Sequence, residues 1–145
     1  MACERVPYAS LRVVVDARSF DLQTVAVAFL ASLRARGCSP NTERAYAGRV
    51  ALYWSYCRMR RLDWRTPGFL DLAGLQRWLV EMPVPPRAGQ VRPGPVRYRS
   101  RGTANSIMTV VGEFLRFGAA HGWVPAVRGR AVVAAEAAAL HPAWL

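Results

Sequence analysis

Apolar positions along this chain recur mainly at helical spacing, and four segments carry the pattern. Leu22, Val25, Ala26, Phe29, Leu30 and Leu33 alternate at intervals of three and one, marking one face of a helix that Asp21 is placed to cap and Gly37 to end. Ser39 before Pro40 predicts a second helix start. The serine oxygen accepts from an otherwise unpaired N–H, and proline in the first helical position already holds a helical φ. Tyr46, Val50, Tyr53, Trp54 and Cys57 form its apolar face, with Arg44 and Arg58 flanking on one side and Arg49 on the other. A third helix is predicted from about Asp71 to Met82, with Leu72, Leu75, Trp78, Leu79 and Met82 inward and Pro83 as its stop. The fourth pattern is the clearest: Ala104, Ile107, Met108, Val111, Phe114, Leu115 and Gly118 share one side until Gly122 ends the run before Pro125.

These elements predict an all-α fold, a bundle of four to five helices with a long Pro/Arg-rich loop between the third and fourth. Residues 1–20 read as an irregular extension, in which Leu11, Val13, Val14 and Val15 suit a short strand. Residues 21–125 form the helical domain. Residues 126–145 are an Ala-rich tail with helical propensity and little to pack against.

The fourth pattern has a polar side as well. Arg101, Asn105, Thr109, Gly112 and Arg116 follow one another by four, four, three and four residues, a narrow stripe. It reads either as a water-facing surface or as a surface turned toward a second body. Gly112 costs about 1 kcal/mol against Ala inside a helix, and its missing side chain suits close approach. Asparagine and arginine also match the adenine and guanine edges of a major groove.

From Pro83 to Arg99 five prolines and two glycines predict an extended loop, long for a compact domain. Arg87, Arg92, Arg97, Arg99 and Arg101 occur there with Tyr98 and with no acidic residue from Arg87 to Arg101. One reading is a solvated loop that maintains solubility. The other is anion binding: guanidinium forks grip phosphate in bidentate fashion, and the loop delivers them to a helix start whose N–H groups already favour an anion.

Composition sharpens this picture. The 145 residues are 52% hydrophobic, enough for one core, and the net charge of +11 comes from twenty arginines and no lysine. Such an excess predicts an anionic partner, most commonly nucleic acid. The preference for Arg over Lys also follows from GC-rich coding, so it carries less than the charge does. Cys3, Cys38 and Cys57 have no metal or disulfide spacing and only His121 and His141 beside them, so no metal or cofactor is expected. No secretory leader and no run of about 18 apolar residues is present, which leads to the expectation of a soluble cytoplasmic protein without membrane contact. The aromatic residues Tyr46, Tyr53, Trp54, Trp78, Phe114 and Phe117 are spaced as core rather than as a base-stacking platform. Neither histidine has an arginine three residues on, the acidic residues are unpaired, and no Gly-rich phosphate loop occurs, so no active site is expected.

Phe29-Leu30-x-x-Leu33, then Ser39-Pro40-Asn41-Thr42-x-x-x-Tyr46, then Thr103-x-Asn105 with Val111-x-x-Phe114-Leu115-x-Phe117 and Gly122-Trp123-Val124-Pro125 together resemble a known pattern. It is that of the N-terminal core-binding domain of tyrosine recombinases, the phage-integrase family, over about residues 20–125. The resemblance implies a SAM-like bundle that clamps one side of duplex DNA at a recombination site, with its second and fourth helices along the DNA. On matching positions it points to Asn41, Thr42, Arg44 and Arg49, and to Arg101, Thr103, Asn105, Thr109 and Arg116; the loop adds Arg97 and Arg99.

This sequence departs from the family in two respects. Val124-Pro125 stands where the family has Asn-Pro, and the family's catalytic Arg, Lys, His-x-x-Arg and Tyr belong to a C-terminal domain with no counterpart here. The expected activity is therefore DNA clamping without catalysis. Expected partners are double-stranded DNA and a catalytic domain or full-length recombinase acting in trans. Two alternatives remain: a subunit completed in trans for strand cleavage, and a helical protein-interaction module whose arginines meet an acidic partner.

Overall fold

A computed structural model describes residues 2–5, 12–15, 24–85 and 94–125. In chain order they form strands β1 (Ala2–Arg5) and β2 (Arg12–Val15) and helices α1 (Thr24–Ala35), α2 (Pro40–Arg60), α3 (Phe69–Glu81) and α4 (Arg101–Ala120). The four helices predicted from the sequence are present, and the described part of the protein is predominantly helical. The segment read as irregular differs: Ala2 pairs with Val15 and Arg5 with Arg12 in an antiparallel hairpin that lies beside α1 and α2. Only the Val13–Val15 half had a local signal.

Each helix start has an identifiable cause. Ser39 and Ser100 cap α2 and α4 with nearly the same backbone, φ −68° and ψ 157° against φ −68° and ψ 161°, and each side-chain oxygen accepts from the N–H three residues on. The start of α3 is corrected from Asp71 to Phe69. Gly68 occupies the cap position, and Asp71 acts from the third helical position, its Oδ2 accepting the Gly68 N–H at 2.8 Å. An acidic residue there satisfies an N–H that the helix leaves open. Met82, expected inward, is the half-buried C-cap residue with extended backbone.

Gly37 and Gly122 sit at φ +80° and +78°, where side chains are disfavoured, and they end α1 and α4 as expected. At the end of α2 a non-glycine residue takes this role. Arg61 adopts φ 55°, its N–H reaches Arg58 O, and Leu62 N–H reaches Cys57 O at 2.8 Å. The proposed cap Asp21 and the Ala-rich tail lie outside the described residues.

The core is an aromatic lattice around Phe29. Its ring lies 5.4 Å from both Phe114 and Phe117 and 6.1 Å from Tyr46, joining α1 to α4 and α2. Trp64, between α2 and α3, was not anticipated. It stacks on Phe114 at 5.3 Å, packs on Trp54 at 5.0 Å, and its carbonyl accepts the Tyr53 hydroxyl at 2.6 Å. That bond satisfies a phenol that is 1% exposed, and burial holds its pKa well above the usual phenolic range. On the other side of α2, Tyr56 packs on Trp78 of α3 at 5.4 Å. Every residue assigned to the apolar face of α4 is buried.

Candidate nucleic-acid interface

Gathering the sequence-derived candidates in space separates them into two groups. The first surrounds the start of α4. Residues Pro83 and Tyr98 form an antiparallel bridge and Val84 N–H reaches Arg97 O at 2.7 Å, so the base of the Pro/Arg-rich loop is closed beside the end of α3. This closure fixes where Arg97 and Arg101, both exposed, enter the helix start. Arg99 is different. It is half-buried and its Nη1 donates to Leu79 O at 3.5 Å, so its guanidinium helps cap α3. Arg87 and Arg92 lie outside the described residues.

Thr103 is exposed at the third position of α4, its N–H donating to Ser100 Oγ at 3.1 Å and its hydroxyl accepting from that same oxygen at 3.0 Å. Further along, Asn105 is half-buried, and its Oδ1 accepts Gln76 Nε2 from α3 at 2.8 Å. Its side-chain acceptor is therefore engaged in helix packing, which leaves the amide N–H groups for other use. Thr109 and Arg116 are exposed, and the Thr109 hydroxyl donates to Asn105 O at 3.0 Å.

Gly112 does not belong to this stripe. It is buried, one turn after buried Met108 and one turn before buried Leu115. Its missing side chain faces the bundle interior, and the exposed stripe beyond the helix start narrows to Thr109 and Arg116, with Asn105 half-buried beside it.

The second group opens α2. Asn41 and Arg44 are exposed together with Ala45 and Gly48, one face by their spacing. Thr42 is half-buried, its N–H donating to Ser39 Oγ at 3.2 Å, and Arg49 is half-buried at the edge of that face. A side-chain bond joins the first half of α2 to the second half of α4. Tyr46 of α2 donates to Glu113 Oε1 of α4 at 3.3 Å, and Glu113 lies twelve residues beyond Arg101, about 18 Å along the helix.

The twin caps also differ electrostatically. Glu43, 1% exposed, occupies the first turn of α2 and pairs with Arg34 Nε at 3.1 Å, so an anion already sits at that helix start. The first turn of α4 holds no acidic residue and begins with Arg101. The open N–H groups and the dipole of such a helix end favour an anion.

Comparison with protein-family models, curated proteins and solved structures returned no match. The geometry of the chain itself therefore carries the functional reading.

Two features were not picked out from the sequence. Arg58, Arg60 and Arg61 cluster at the end of α2, where cations complement the dipole, and Arg60 lies 6.0 Å over the Tyr56 ring. The run Arg58-Met59-Arg60-Arg61 was the available signal. The second is an open cleft of about 410 Å³ between α1 and α4, lined by Phe29, Ser32, Arg36, Glu113, Arg116 and Phe117. Its residues come from separated segments, so no local motif announces it. Burial first, and the adjacent Glu113 carboxylate next, push the neighbouring Tyr46 phenol above its ordinary pKa. Among the described residues no group of His, Cys, Asp and Glu is arranged to hold a metal ion, and no helix is long and apolar enough to cross a membrane.

Proposed function

We propose that this chain is a duplex-DNA-binding module akin to the SAM-like core-binding part of a tyrosine recombinase, acting in the cytoplasm and clamping DNA without catalysing strand exchange. The observation that carries the reading is the start of α4. There a pinned loop places Arg97 and Arg101 at a serine-capped helix end that has no acid of its own, and Thr109 and Arg116 continue along the exposed face. Backbone N–H groups, dipole and guanidinium charge act together on one phosphate. The start of α2, with Asn41, Arg44 and Arg49, is a subsidiary contact.

A duplex titration over a fourfold rise in salt tests this. With about five phosphates neutralised, affinity falls several-hundred-fold, at a log–log slope of about −0.9 per phosphate. Arg101→Ala lowers the slope by about one unit and weakens binding on every sequence. A flat salt response removes the proposal. The alternative, a protein-interaction module, draws on Phe69 and Leu70, which stand open to solvent at 46% and 81% exposure. Under that reading Ala at Arg101 and Arg116 leaves DNA binding unchanged.

A further inference from the structure

The base of the Pro/Arg-rich loop presents an apolar face that the core does not use. Pro83 and Tyr98 bridge as an antiparallel pair, and the bond from Val84 N–H to Arg97 O lies beside that pair rather than within it. Such a pair is the closely spaced kind, so the proline and tyrosine side chains stand together on one face. Alternation along the two segments adds Pro85 and Val96 to that face and turns Val84 and Arg99 to the other. Burial agrees: Pro83, Pro85, Val96 and Tyr98 are exposed, whereas Val84 and Arg99 are half-buried and Arg99 donates to Leu79 O of α3.

Val96 is 64% and Tyr98 58% exposed, and neither belongs to the hydrophobic core. The fastened backbone thus holds an aromatic ring outward, with a flat face open to solvent beside aliphatic neighbours. The surrounding charge narrows what can cover it. Arg97 is exposed between these two residues, and no acidic residue occurs from Gly94 to Gly112. Glu81, exposed two residues before Pro83, is the nearest carboxylate along the chain. A ligand of phosphates alone is therefore a weaker match than one that brings a flat apolar group together with its negative charge.

We infer that this face stacks on an unpaired DNA base, with Tyr98 as the platform, Pro83 and Val96 as its flanks and Arg97 on the adjoining phosphate. A base closed into a duplex has both faces covered by its neighbours, so the ring selects one that has left the stack. Aromatic rings beside a basic track hold single strands with little regard to sequence, because every base has a π-face. The inference rests on the DNA-binding reading and extends it. Ser100, two residues after Tyr98, caps the helix start assigned there to duplex DNA, so the platform meets DNA where a single-stranded stretch adjoins that duplex.

Fluorescence anisotropy of the full chain with a paired duplex, the same duplex carrying a short single-stranded gap, and oligothymidylate tests this. The expected result is about tenfold tighter binding of the gapped duplex than of the paired one, within what one base–aromatic stack contributes. Tyr98→Phe keeps that preference, because the ring remains. Tyr98→Leu and Tyr98→Ala lose it, with paired-duplex affinity and the urea midpoint unchanged, since the side chain stands outside the core. Equal binding of gapped and paired duplex, or a preference that survives in Tyr98→Leu, overturns the inference. So does an acidic peptide that binds more tightly than any of these DNAs and requires Tyr98. Loss of paired-duplex binding alone, with Tyr98-dependent binding of oligothymidylate intact, supports the platform and counts against the helix-start reading.

Discussion

Arg34 and Glu43 join the end of α1 to the first turn of α2, Nε to Oε1 at 3.1 Å, with the carboxylate side chain 2% exposed and the guanidinium 34% exposed. A carboxylate this deeply buried needs its partner more than the half-open arginine does. Arg34→Met is expected to destabilise the chain by about 2 kcal/mol, below the full figure for a closed pair because water reaches the arginine side. Urea denaturation measures it. An unchanged midpoint would mean that other groups hold Glu43.

The twin caps give matched predictions. Ser39→Ala and Ser100→Ala each remove a side-chain acceptor from one N–H and should each cost about 1 kcal/mol, while glycine at either position costs only a few tenths. Thermal unfolding separates the two substitutions. On DNA, the Ser100 change should matter more, because the start of α2 already carries the buried charge of Glu43.

Much of this was legible in the sequence because it is local. A serine before proline, glycine after the last periodic residue, and seven apolar positions on one side of α4 each specify their structure within a few residues. Where the outcome depended on packing, sequence spacing was insufficient. Gly112 falls beside the polar stripe by angle, yet the surrounding bundle covers it together with Met108 and Leu115. Asn105 and Arg99 look like surface groups until α3 arrives to engage them. Trp64 has no periodic neighbours to reveal its burial, and the cleft exists only once α1 and α4 meet.

Two glycines should respond oppositely to alanine. A Cβ at Gly118 would stand 2.7 Å from Val124 Cγ2, so Gly118→Ala is expected to destabilise by about 1 to 2 kcal/mol despite the helical preference of alanine. Adding Val124→Ala should recover part of the overlap cost. Gly48 has nothing within 4 Å of its Cβ position, and Gly48→Ala should stabilise by up to about 1 kcal/mol. Chemical denaturation of both variants settles the signs.

Alkaline pH should loosen the fold. Burial pushes the Cys57 thiol from 9.0 up to about 11, and burial raises the Tyr53 phenol as well. Because the folded chain keeps its proton where the unfolded chain loses it, the contribution of Cys57 is complete below pH 9. It declines as pH rises through about 11, by about 2 kcal/mol. Urea midpoints measured from pH 8 to 11 should fall, and less steeply in Cys57→Ala. A parallel decline in that variant would shift the cause to the tyrosines.

The bridge between Pro83 and Tyr98 has a practical corollary. Since the chain leaves and re-enters the bundle at one fastened gap, the peptide that spans it is an exchangeable cassette. Doubling its length should cost only about 0.6 kcal/mol in closure entropy. Variation in that span would then leave the scaffold itself unchanged, a ready point for grafting new sequence.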